Sequence, residues 1–149
     1  MCYGYMMCFN LLGGFAGVFE PSGVFHDQVA LTVHAVAWHY SLVFLSFYLI
    51  FSHRSGTTMA EYKDIVKLFV STCFIAFIIN PLIGITVGAE VNMFFVGPNP
   101  APIIVFKDIA LKFGWVASTV IYIPVTTIAS ALIYFLAGLG RKKKEAVAN

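Results

Sequence analysis

HDQVALTVHAVAWHYSLVFLSFYLIF, residues His26 to Phe51, decides the fold. From Val29 to Phe51 it holds no Lys, Arg, Asp or Glu, and nearly every side chain is apolar. As a helix rising about 1.5 Å per residue it covers roughly 34 Å, enough to cross a hydrocarbon core of about 30 Å. His34 and His39 stand inside it. Ionisable groups in a membrane helix generally face protein or a water-filled cavity rather than lipid, so function is sought here first.

The whole chain agrees with this reading. Its 149 residues are 60% hydrophobic and 11% charged, where a soluble domain carries about 25% charged residues. That is too little charge to cover an aqueous surface of this size, so lipid is the expected solvent, and membrane lipids the first expected partners. Four of the nine cations form the run Arg141, Lys142, Lys143, Lys144, which is a topology signal before it is a nucleic-acid signal. No nucleic-acid partner is expected. Cys2, Cys8 and Cys73 show no metal spacing and, being odd in number, no disulfide framework. The opening MCYGYMMCFN has no cationic segment of the kind that begins a signal peptide. The chain is expected to begin inside a membrane segment, either with a very short tail or as a protein truncated relative to its kin.

Working outward, the expected fold is all-α: a single polytopic transmembrane domain with spans near 2–19, 29–51, 65–87 and 114–139. The first carries Gly4, Gly13, Gly14 and Gly17, small residues that permit close helix contact, and Glu20-Pro21-Ser22-Gly23 ends it. The polar stretch Thr57 to Lys67 reads as an exposed loop leading into the third helix, which contains Asn80-Pro81. Residues 88–113, divided by Gly97-Pro98-Asn99-Pro100-Ala101-Pro102, read as an extracytoplasmic loop with an interfacial segment, or as a re-entrant segment. The basic run is expected to stop the fourth helix and leave 140–149 as a basic tail, disordered at its end. Four spans place seven cations on one side and two, Lys107 and Lys112, on the other, so both termini are expected to be cytoplasmic.

Few residues offer chemistry. His34 and His39 are five apart, about 140° around a helix, a poor geometry for sharing a metal ion. No metal or other cofactor is expected. A b-type haem would need a second axial histidine from another helix, and none is offered. Asp27, His34, Ser41 and Tyr48 repeat every seven residues as one polar stripe; His39, Ser46 and His53 form a second. One reading makes the histidines hydrogen-bonded members of the bundle. The other gives His39 a base or proton-relay role, for which an imidazole needs little tuning. Asn80 is read either as an amide that satisfies freed backbone or bridges helices, or as a polar wall for a lipid head group or acyl carbonyl. Cys73 is read as a small core residue. Asn92 and Asn99 shape the extracytoplasmic loop. The chain has no P-loop, GxSxG, HExxH or CxxCH.

His34 and His39 followed by Tyr48, the preceding GGFAGVFEPSGVF (13–25), Ile78–Asn80, VNMFFVGPNP (91–100) and Ile123-Pro124 together resemble the YwaF-like family of bacterial integral membrane proteins. The resemblance implies a bundle of six or seven helices in a bacterial cell membrane, of which this chain supplies the C-terminal four. The family's N-terminal half carries a Leu-His-Leu-Cys-like motif that is not present here, and Met93 stands where the family tends to have Tyr. Family activity is largely unassigned. By analogy with a distant ether-phospholipid acyltransferase, His39 would be a base and the nucleophile would come from the other half. Three functions follow as expectations: a bundle subunit or fragment that docks with other transmembrane helices, a lipid-modifying enzyme using His39 and Asn80, or a small proton-coupled transporter using His34, His39 and Asn80.

Overall fold

A computed structural model describes every residue except 21–23, 26, 55–57, 89–90, 100–102 and 149, and describes 141–148 by backbone alone. The chain is all-helical, with no strand among the described residues. In order it forms α1 (Cys2–Phe19), α2 (Val29–Ser52), α3 (Met59–Val87), a 3-10 turn (Met93–Phe95), α4 (Ile104–Phe113) and α5 (Trp115–Ala148). Four of these, α1, α2, α3 and α5 as far as Gly140, are long and apolar enough to cross a membrane. The protein is a polytopic membrane protein by this measure. Pro81 and Pro124 lie inside α3 and α5 without ending either helix.

Two boundaries differ from expectation. First, α3 begins at Met59, so the polar stretch is helix from there onward rather than loop, Thr57 lying outside the described residues. The Thr58 hydroxyl accepts the Glu61 N–H at 3.2 Å. Thr58-x-x-Glu61 is thus half of a capping box, and the acid in the first turn complements the helix dipole. Second, α5 continues through Arg141–Lys144 to Ala148 instead of stopping at the charges. Arg, Lys, Glu and Ala are good helix formers, so a basic run ends a hydrophobic span without ending its helix.

The chain divides into two compact units, Met1–Val66 with Thr127–Asn149, and Lys67–Thr126. In the first, α2 packs on the glycine face of α1. A Cβ at Gly14 would lie 2.7 Å from the Val43 side chain and 3.1 Å from the His39 carbonyl oxygen, and one at Gly17 would overlap the His39 ring. Only the missing side chains let the two backbones come this close. The Ser46 hydroxyl, fully buried, donates to the Met6 carbonyl across the contact at 2.8 Å and is shared with Leu42 of its own helix. Phe15 and Phe47 meet edge to face. The same unit holds a polar knot between the first turns of α3 and the later turns of α5. The Tyr62 hydroxyl donates to the Thr127 carbonyl at 2.6 Å and lies 2.8 Å from Ser130 Oγ. The Tyr134 hydroxyl meets Glu61 Oε2 at 3.1 Å, and the two tyrosine rings pack 5.2 Å apart.

In the second unit Tyr122 is the aromatic centre, with Phe69, Phe95 and Phe106 around it at 5.2–6.4 Å between centroids. Gly114, at φ +88°, separates α4 from α5, a conformation L side chains seldom adopt. The Ser118 hydroxyl then donates back to the Phe106 carbonyl at 3.0 Å. The expected interfacial segment of the 88–113 region is therefore helical over Ile104–Phe113, and Lys107 and Asp108 on it are exposed.

Candidate functional site: the two polar faces of the second helix

α2 sorts its polar residues by face. The stripe of His39 and Ser46 turns toward α1 and is half-buried at His39 and fully buried at Ser46. The stripe of Asp27, His34, Ser41 and Tyr48 is exposed at every position. The angle of about 140° between His34 and His39 is what separates them. Of the four candidate spans, α2 is the least buried within the chain.

His39 is held firmly. Its Nδ1–H donates to the Ala35 carbonyl at 2.7 Å, one turn back on the same helix. Its Nε2 lies against Gly17 of α1. No described side chain hydrogen-bonds to Nε2. Cys8, in the same unit, is buried and gives its thiol hydrogen to the Gly4 carbonyl at 2.9 Å. Among the described residues no group of three His, Cys, Asp or Glu is placed to hold a metal ion.

His34 differs. It is exposed and has no hydrogen-bond partner among the described residues. Ser41 donates to its own Ala37 carbonyl at 2.7 Å. Asp27 lies just outside the helix, before the N-cap Gln28, and is exposed.

Asn80 and Asn92 meet elsewhere, in the second unit. Asn80 is 1% exposed, and its amide grips the Met93 backbone twice: Nδ2 donates to the carbonyl at 3.0 Å and Oδ1 accepts the N–H at 2.9 Å. Asn92 Oδ1 accepts the Gly97 N–H at 2.7 Å, and its Nδ2 donates to the Asn99 carbonyl. Both amides converge on Gly97, where a Cβ would lie 2.9 Å from each. The clamp holds Phe94 and Phe95 at φ +56° and +57°, a left-handed conformation costly for aromatic residues. The backbone of Arg141, Lys142, Lys143 and Lys144 lies on α5, beyond its apolar span.

The Glu61, Tyr62, Ser130 and Tyr134 knot is not among the residues the sequence singles out. The signal for its first half was present in the Thr58-x-x-Glu61 spacing. Its second half joins residues some seventy positions apart, which no local pattern encodes. Comparison with known proteins adds no assignment: no family model, no curated protein and no solved structure matches the chain.

Proposed function

We propose that this membrane protein is a bundle subunit that docks other transmembrane helices against the outer face of α2. The observation that carries the reading is the exposed stripe of His34, Ser41 and Tyr48 on a helix whose opposite stripe is already packed on α1. A polar face in hydrocarbon is unfavourable, and interhelical hydrogen bonds remove the penalty. A lipid-modifying role for His39 has less support, since its Nδ1 is engaged by Ala35 and no described nucleophile bonds its Nε2. The positive-inside asymmetry supports cytoplasmic placement of both termini, and the resemblance to the YwaF-like family supports a bacterial cell membrane.

A photo-crosslinking residue at Phe44, exposed on the outer face, tests docking in native membranes. Adducts to polypeptide are expected, and adducts to lipid alone would overturn the reading. A reporter fused after Asn149 that is active only outside the cytoplasm should stay silent, and activity there would overturn the orientation.

A further inference from the structure

We propose that the partner on α2 is the α2 of a second copy of this chain, running parallel to the first. The inference rests on the docking reading above and names its occupant.

The spacing sets the geometry. His34, Ser41 and Tyr48 recur every seven residues, and Ala30, Ala37 and Phe44 recur every seven on the same exposed face. These are the two interleaved positions of a left-handed helix pair. Copies of one membrane protein share one orientation in the bilayer. A twofold axis along the membrane normal therefore brings each residue to its own counterpart at the same depth.

The chemistry selects a like partner. An uncharged imidazole, a serine hydroxyl and a tyrosine hydroxyl each donate and accept, so the His34, Ser41 and Tyr48 layers complement themselves, while Asp27, the fourth residue of the stripe, lies outside the helix before its N-cap. A stripe of donors alone or acceptors alone would demand a different chain. Between Val29 and Phe51 no charged residue sets like charge against like. Small exposed residues at Ala30, Ala37 and Ser41 let the helices approach, while Gly14 and Gly17 of α1 are already occupied by α2 itself. His34, without a hydrogen-bond partner among the described residues, gains one across the axis.

Disulfide trapping in native membranes tests this, using two differently tagged full-length chains in which Cys2, exposed, is replaced by Ser; Cys8 and Cys73 are buried. Ala37→Cys and Ser41→Cys, oxidised with copper phenanthroline, are expected to give disulfide-linked species carrying both tags. Val43→Cys, against Gly14 of α1, and Leu49→Cys, buried within the chain, are expected not to. Crosslinking equal at all four positions overturns the pairing. So does crosslinking only to an untagged polypeptide, which leaves the docking reading standing. Absence of any polypeptide crosslink, from protein that resists carbonate extraction, removes both. As a second readout, His34→Leu should weaken self-association roughly 3- to 30-fold and His34→Asn should retain it. Equal association in all three chains would overturn a hydrogen-bonded seam.

Discussion

Gly17 of α1 and the His39 ring of α2 occupy adjoining space so closely that a single added methyl at position 17 would overlap the imidazole. The ring cannot easily yield, because its Nδ1 is tethered to the Ala35 carbonyl. Gly17→Ala is therefore expected to lower stability by about 1–3 kcal/mol, the usual cost of overpacking. Gly13→Ala, with nothing within 4 Å, should be neutral or stabilising by up to about 1 kcal/mol. Thermal unfolding of the two purified variants in detergent checks the contrast.

The Asn80 clamp makes a second prediction. Asn80→Leu keeps similar bulk but leaves the Met93 N–H and carbonyl without their partner. A loss of about 1–3 kcal/mol is expected, with faster amide exchange over residues 91–99. Hydrogen-exchange mass spectrometry of the variant reads both the size and the location of the effect. Unchanged exchange in that segment would mean the loop is held by something else.

Phe94 sits in the left-handed region at φ +56° and is 41% exposed, so its side chain offsets its backbone cost only in part. Phe94→Gly should therefore stabilise the protein by about 1 kcal/mol, against the ordinary penalty for introducing glycine. An upward shift in the unfolding midpoint is the expected result. Phe95, also left-handed but packed edge to face on Tyr122, should not show it.

Tyr62 and Tyr134 pack ring to ring and carry separate hydrogen bonds, one to Thr127 and Ser130 and the other to Glu61. Tyr62→Phe and Tyr134→Phe keep the rings and remove the hydroxyls. Each should cost about 0.5–1.5 kcal/mol. Because the rings touch, the two changes should couple, departing from additivity by about 0.5 kcal/mol or more, and a double-mutant cycle measures the departure.

Four long apolar helices were legible because a chain this poor in charge leaves little freedom in where such segments fall. α2 was expected over 29–51 and runs Val29–Ser52. The two polar stripes were legible too, since a heptad fixes which residues share a face. Which stripe met α1 was not, because that depends on Gly14 and Gly17 lying opposite His39 rather than His34. The early start of α3 is hidden by its polarity, since the same residues suit a loop and a helix capped by Thr58. The continuation of α5 past Gly140 was missed because charge was read as a helix end. Asn80 was singled out beside Pro81, but its grip on Met93 across thirteen positions is a tertiary event with no local signature.

That grip has a consequence for how this surface can change. Asn80 fastens only main-chain atoms of Met93 and is indifferent to the side chain there, while Met93 and Phe94 are 37% and 41% exposed. The loop thus works like a socket with an exchangeable tip. Mutation can rewrite what Met93 presents outward, and the fastening beneath stays closed.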